Sequence, residues 1–139
     1  MISNVIINPR YEETDQMGII YHGNYFTWFE VARSKFFKDI GYSYKDLESE
    51  NIILPVIEVG CTYIKPARYD VDVRVETEIY LFKGVRLGLK YTIYENETDI
   101  FLAHGFTLHG FVDKSLKPVN IKKKNVKIFN VLHGAMEEK

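Results

Sequence analysis

Between Arg10 and Arg33 the chain reads RYEETDQMGIIYHGNYFTWFEVAR, a stretch unlike the rest of it. Asp15 lies in a polar run, Gly18 follows three residues later, and Tyr21, His22 and Asn24 crowd the approach to an aromatic segment. That order sets a carboxylate, an imidazole and a helix start within one short connection. The first N–H groups of a helix lack intrahelical partners, and the helix dipole adds roughly half a positive charge there. Such an end can hold a developing oxyanion as helix termini hold phosphate. A carboxylate beside it that attacks a carbonyl, or activates water to do so, makes a hydrolytic site. The same Asp15 also fits a turn closed by its own side chain. An aspartate is ionised at neutral pH yet is a weak base. It works either as a nucleophile giving an anhydride or as a base strengthened by its surroundings, and residue types leave both open.

Other reactive residues form no second constellation. His104 and His109 lie five apart on a strand pattern, so they face opposite sides and cannot jointly grip a metal; no metal site is expected. His133 stands alone near the C-terminus. Cys61, the only cysteine, reads as a small strand hydrophobe and excludes an intramolecular disulfide. Glu30 and Arg33, at i and i+3, read as an ion pair on a helix surface.

The elements that must position Asp15 and His22 follow from periodicity. From about Asp70 to Phe82, Val71, Val73, Val75, Thr77, Ile79 and Leu81 alternate with polar residues, the period of a half-buried strand. Lys83-Gly84 reads as a tight turn. Val85, Leu87, Leu89, Tyr91 and Ile93 continue the pattern, as does a third run of Ile100, Leu102, His104, Phe106, Leu108, Gly110 and Val112. Pro55 to Lys65 is a fourth strand, and Ile2 to Tyr11, interrupted by Pro9, a weaker edge candidate. From Tyr25 to Ile40 the period is helical, with Tyr25, Trp28, Phe29, Ala32, Phe36 and Ile40 on one stripe. Phe26, Val31 and Phe37 widen it, so the helix is expected to be largely buried. Asn24 is suited to cap it and Gly41 to end it. A short helix is expected over Tyr44 to Glu50, and a basic tail of no assignable structure from Val119. One greasy helix with five antiparallel strands makes a two-layer α+β domain.

Composition bounds the functions. A chain of 139 residues is one domain, 46% hydrophobic and 27% charged. Ten Tyr, nine Phe and one Trp favour a β-rich core or an interface. With net charge −1 there is no basic field for nucleic acid. The N-terminus has no signal-peptide pattern and no stretch approaches a membrane span, which leads to the expectation of a soluble, cytoplasmic protein without integral membrane association.

The run D-x-x-G-x-x-Y-H-x-N-Y, from Asp15 to Tyr25, continues into W-F-E-x-A-R, from Trp28 to Arg33. It resembles the signature of the hotdog-fold acyl-CoA thioesterases, in particular the 4-hydroxybenzoyl-CoA thioesterase family and the small thioesterases associated with the Tol-Pal system. Tyr63-Ile64-Lys65-Pro66-Ala67-Arg68-Tyr69-Asp70 resembles the family's second strand and turn, and the resemblance spans about residues 3–113. It implies a single hotdog domain over 1–139, core about 3–113 and basic tail about 119–139, in which a five-stranded antiparallel sheet wraps one long buried helix. It also implies a homodimer or homotetramer with sites at the dimer interface. Asp15 matches the catalytic aspartate, His22 a position whose backbone N–H polarises the thioester carbonyl, and Tyr11 a tyrosine beside the aspartate. Gly23 and Asn24 fall at the helix entrance, where substrate binds. Glu13 stands where this branch often has Asp. The implied substrate is an acyl-coenzyme A, or an acyl-carrier-protein thioester, with no cofactor beyond the coenzyme A of the substrate. With no Gly-rich phosphate loop, Lys65 and Arg68, and further off Arg74, Lys83 and Arg86, are candidate contacts for coenzyme A. The competing readings are a hotdog 3-hydroxyacyl thioester dehydratase, with His22 as base, and a non-catalytic acyl-CoA binding protein.

Overall fold

Alternation builds the centre of the molecule. The computed structural model describes residues 1–137, so the last two residues of the expected tail lie outside the described residues. The three long runs form a meander: β3 (Val73–Lys83), β4 (Arg86–Glu95) and β5 (Phe101–Gly110). β1 (Ser3–Ile7) pairs antiparallel with β3, and β2 (Val56–Tyr63) with β5, giving one five-stranded antiparallel sheet in the order β1-β3-β4-β5-β2. The 16-residue α1 (Asn24–Asp39) packs across β1, β2 and β3. α2 (Tyr44–Ser49) follows, started by a capping box in which Ser43 Oγ accepts from the Asp46 N–H and Asp46 accepts from the Ser43 N–H. Gly41, at φ +92°, ends α1 in the left-handed region as a helix-stop glycine does.

Several details differ from the expectations. On β3 the inward set is Val73, Val75, Thr77 and Ile79, but a bulge between Ile79 and Leu81 flips the parity, so Phe82 rather than Leu81 enters the core. On β5 the expected set His104, Phe106 and Leu108 points away from the core; Ala103, Gly105, Thr107 and His109 point in, as does Phe111 just past the strand's end. The reason is volume. Phe29 of α1 stacks on Tyr91 at 4.3 Å between ring centres, and a Cβ on Gly105 would sit 2.5 Å from the Phe29 ring. The bulk over β5 comes from the helix, so the strand beneath supplies small and polar residues.

α1 is not wrapped on every side. Tyr25, Trp28, Phe29, Ala32, Phe36 and Phe37 are buried, whereas Phe26 and Val31 are exposed. Arg33 is buried and makes no surface pair with Glu30: its Nε donates to Tyr44 Oη at 3.0 Å and its Nη1 to Tyr91 Oη at 3.3 Å. Beyond Tyr91 a hydroxyl relay runs through Thr107 Oγ1 (2.7 Å) to His109 Nε2 (2.8 Å), while His109 Nδ1 donates to the Leu54 carbonyl at 3.1 Å. The region expected as an unassignable tail is helical. α3 (Ile121–Lys124) and α4 (Val126–Glu137) bury Ile121, Ile128, Leu132 and Ala135, and α4 packs on β3 with Phe129 against Phe82.

Candidate active site

Asp15 sits at the start of a miniature hairpin. Thr14 and Ile20 pair across it, the Asp15 N–H donates to the Ile19 carbonyl at 2.8 Å, and the Gly18 N–H returns to the Asp15 carbonyl at 3.1 Å. Gly18, at φ +78°, takes the left-handed position that glycine fills without strain. Asp15 Oδ1 accepts the Met17 N–H at 2.8 Å. The carboxylate therefore closes its own turn with one oxygen, while among the described residues Oδ2 has no partner. The turn-closing reading and the chemical reading of Asp15 are compatible, because each uses a different oxygen.

The approach to α1 is tighter than capping logic assigns. Gly23, in helical conformation, is the N-cap and no side chain caps the helix. A preceding turn lets the Asn24, Tyr25 and Phe26 N–H groups donate to the carbonyls of Tyr21, His22 and Gly23 at 3.0, 3.3 and 3.3 Å. These first amides of the helix are thus occupied, contrary to the expectation that they stand open. The N–H groups without an acceptor among the described residues are those of His22 and Gly23. Asn24 does not cap; its Nδ2 donates to the Glu13 carbonyl at 2.8 Å and fastens the helix to the Asp15 loop.

Asp15 and His22 line one cavity of about 360 Å³. Met17, Ile19, Ile20, Ile64 and Pro66 make its apolar wall, with Tyr25, Tyr63 and Lys65 alongside. Of the basic candidates only Lys65 borders it. Arg68 is exposed outside it, its backbone bridged to Ile19. Arg74 is engaged by Glu76 at 3.2 Å and Asp99 at 2.7 Å, and Lys83 and Arg86 pair across the turn at the opposite end of the sheet. Tyr11 is also outside, 75% exposed, its ring edge-on to Tyr69 at 5.6 Å.

Two supporting residues escaped sequence reasoning. Glu13 is 6% exposed. Its carboxylate accepts the Trp28 indole N–H at 3.0 Å and the Arg10 backbone N–H at 2.8 Å. Its carbonyl takes the Tyr21 N–H at 2.8 Å as well as Asn24. One residue so holds both halves of the site against α1. The available signal was a carboxylate in the motif ahead of a tryptophan on the buried helix face. Tyr63, at the end of β2, donates its hydroxyl to the His22 carbonyl at 2.9 Å.

Five antiparallel strands against one long central helix, with the loop before that helix lining a cavity, define the hotdog fold. Residues 17–99 match the family described as the thioesterase superfamily. The putative acyl-CoA thioesterase YneP of Bacillus subtilis (strain 168) is 37% identical over 123 residues, covering 88% of this chain and 88% of that one. The acyl-CoA thioester hydrolase YbgC of Escherichia coli O6:H1 is 30% identical over 90 residues, 65% of this chain and 67% of that protein. A DHNA-CoA thioesterase from Staphylococcus aureus superposes with a TM-score of 0.90 at 34% identity, covering 96% of this chain and 89% of that one. The chain belongs to the thioesterase superfamily and is an enzyme of the thioester hydrolase class.

Proposed function

We propose that the chain hydrolyses an acyl-coenzyme A thioester, with Asp15 as the catalytic carboxylate and the His22 and Gly23 amides as oxyanion donors. The observation that carries the reading is the meeting of Asp15 and His22 in one cavity of about 360 Å³ beside unoccupied backbone N–H groups. The acyl carbonyl oxygen lies toward those amides, which stabilise charge as it develops on oxygen. Asp15 attacks the carbonyl carbon and a water then cleaves the resulting anhydride, or Asp15 takes a proton from a water that attacks in its place. Either way the C–S bond breaks, coenzyme A departs as thiolate and the free acid is left. A thiolate leaves readily, so no strong general acid is needed. Lys65, on the cavity rim, is the basic group in reach of a coenzyme A phosphate. The single cysteine and this substrate fit a reducing, cytoplasmic setting.

The active unit is a homodimer or larger. β2 is an edge strand whose Val56, Ile57, Val59 and Tyr63 are 42–52% exposed, an apolar template for a second strand. The same strand ends at the cavity wall, so a second copy paired along it would supply the missing side. Light scattering at micromolar concentration should give at least twice the 16.3 kDa chain mass; a single-chain mass with full activity overturns the shared site.

Asp15→Asn tests the chemistry. Amide and acid are nearly isosteric, and Oδ1 can still accept the Met17 N–H. Hydrolysis across a panel of short, long and aromatic acyl-CoA esters should fall by roughly 10²–10⁴-fold with folding intact. His22→Ala should cost less, because the donor is backbone. If Asp15→Asn keeps activity within threefold of wild type, the assignment fails; if His22→Ala is the more damaging, His22 is the base.

A further inference from the structure

The hydrolase reading assigns no work to Tyr63, although this residue touches the site from a different element than the loop itself. Its hydroxyl donates to the His22 carbonyl at 2.9 Å, a contact between positions 41 residues apart. Its ring stands edge-on to Tyr25 at 4.9 Å and to His22 at 6.1 Å between centres. Tyr25 is itself fixed, accepting the Ala67 N–H on its hydroxyl at 3.2 Å.

The geometry of the peptide unit gives that bond its meaning. A trans peptide is planar, so its C=O and the next N–H point in opposite directions and turn together. Among the described residues no peptide bond is cis. Holding the His22 carbonyl therefore holds the Gly23 N–H. The preceding peptide, which carries the His22 N–H, is held in the same manner: the Tyr21 carbonyl accepts the Asn24 N–H at 3.0 Å. Both planes flanking the His22 Cα are thus pinned through their oxygens, one by the helix start and one by β2. The helix holds the His22 carbonyl only by the longer 3.3 Å bond from the Tyr25 N–H. The loop lies outside the sheet and His22 is exposed, so the second pin has no substitute from core packing.

We propose that Tyr63 is a positioning residue of the thioesterase site, its hydroxyl fixing the His22–Gly23 peptide so that the two unoccupied amides stay oriented for the oxyanion. The inference rests on the hydrolase reading above. Tyr63 is suited to the task as a permanent donor: partial desolvation, and then the neighbouring Cys61, push its hydroxyl up to about 12, so it keeps its proton at any working pH. The bond also ties the site to the edge strand on which a second copy is expected to pair.

Tyr63→Phe is the test, since it keeps both ring contacts and removes only the hydroxyl. Loss of an oxyanion donor typically costs about 10²–10³-fold in kcat. Loosening donors that remain present should cost less, roughly tenfold, with KM within threefold of wild type. In the folded variant the backbone carbonyl ¹³C resonance of His22 and the amide ¹⁵N resonance of Gly23 should move, while resonances of β3 and β4 stay in place. Unchanged His22 and Gly23 resonances overturn the positioning contact. Moved resonances with kcat within twofold of wild type overturn its role in catalysis. A fall in kcat matched by resonance changes throughout the sheet also overturns it, because the hydroxyl would then be a general structural bond. A wild-type protein that hydrolyses no thioester in the panel instead overturns the hydrolase reading, and with it the catalytic half of this proposal.

Discussion

Glu13→Gln isolates the bond that fastens the site to the core. Gln keeps the shape of Glu but turns one acceptor oxygen into an NH₂ donor. Both carboxylate oxygens are in use, Oε2 by the Trp28 indole N–H at 3.0 Å and Oε1 by the Arg10 N–H at 2.8 Å. Either amide orientation therefore sets a donor against a donor in a site 6% exposed. A hydrogen bond to a charged group contributes about 1.5–3 kcal/mol, and an amide is easier to bury than a carboxylate, which offsets part of the loss. The Arg10 guanidinium lies 3.6 Å from Glu13 but is 67% exposed, so its share is small. The net expectation is a destabilisation of about 2 kcal/mol. At roughly 2.1 cal/mol/K of unfolding entropy per residue over 139 residues, the midpoint falls by about 7 °C. Urea titration, comparing midpoints at unchanged slope, measures it. Glu12→Gln, on a side chain 70% exposed, is the control and should stay within about 0.5 kcal/mol. In a Trp28→Phe background the cost of Glu13→Gln should shrink, as a double-mutant cycle requires of a direct contact. Activity should drop by at most about 10²-fold, since the Glu13 carbonyl still holds Tyr21 and Asn24. A Glu13→Gln variant as stable as wild type refutes the idea that this carboxylate anchors the loop.

Two further outcomes follow from the core. Burial, and then the Arg33 charge, lower His109 from 6.5 to about 4. Between those values the unfolded chain binds a proton that the native state refuses, so stability is full above about pH 6.5 and falls as pH drops toward 4. At 1.36 kcal/mol per pKa unit the loss is about 3 kcal/mol by pH 4. Urea midpoints measured from pH 7 to 4 should show that slope in wild type and lose it in His109→Gln; an equal slope in both refutes it. Gly105→Ala would place a methyl 2.5 Å from both the Phe29 ring and the Gly60 carbonyl oxygen, so it should cost at least about 1–3 kcal/mol by thermal unfolding. A neutral substitution there would mean that α1 is free to lift from the sheet.

The fold was legible where one pattern dominated. β3 as far as its bulge after Ile79, and most of β4, bury alternate residues, so period two fixed their faces there, and α1 buries six aromatic or small residues at helical spacing. Legibility failed where packing partners, rather than the segment itself, set the pattern. β5 looked apolar on the wrong face because Phe29 fills the space above it and leaves no room for a side chain at Gly105, while Ala103, Thr107 and His109 make up the rest of its inner face. Arg33 looked like a surface cation because two of its acceptors, on Tyr44 and Tyr91, come from other elements. The C-terminal helices were hidden by Lys122, Lys123 and Lys124, which separate the buried Ile121 of α3 from the buried Ile128 and Leu132 of α4.

The site shows the same division more sharply. Asp15 was readable because the proposed mechanism gives its chemistry to a side chain, whereas the proposed partners of the substrate carbonyl are amides, which any residue but proline provides. A site that relies on amides leaves a trace in sequence only through the side chains that hold its backbone still. Here those are Glu13, which accepts from Trp28 and through its carbonyl from Asn24, and Tyr63, which donates to His22. None of the three contacts joins near neighbours in the chain, so no local motif displays them; the motif displays the residues and the fold supplies the pairing. In the proposed mechanism the exposed His22 side chain, the most conspicuous letter in the stretch, accordingly matters less than the peptide bonds on either side of it.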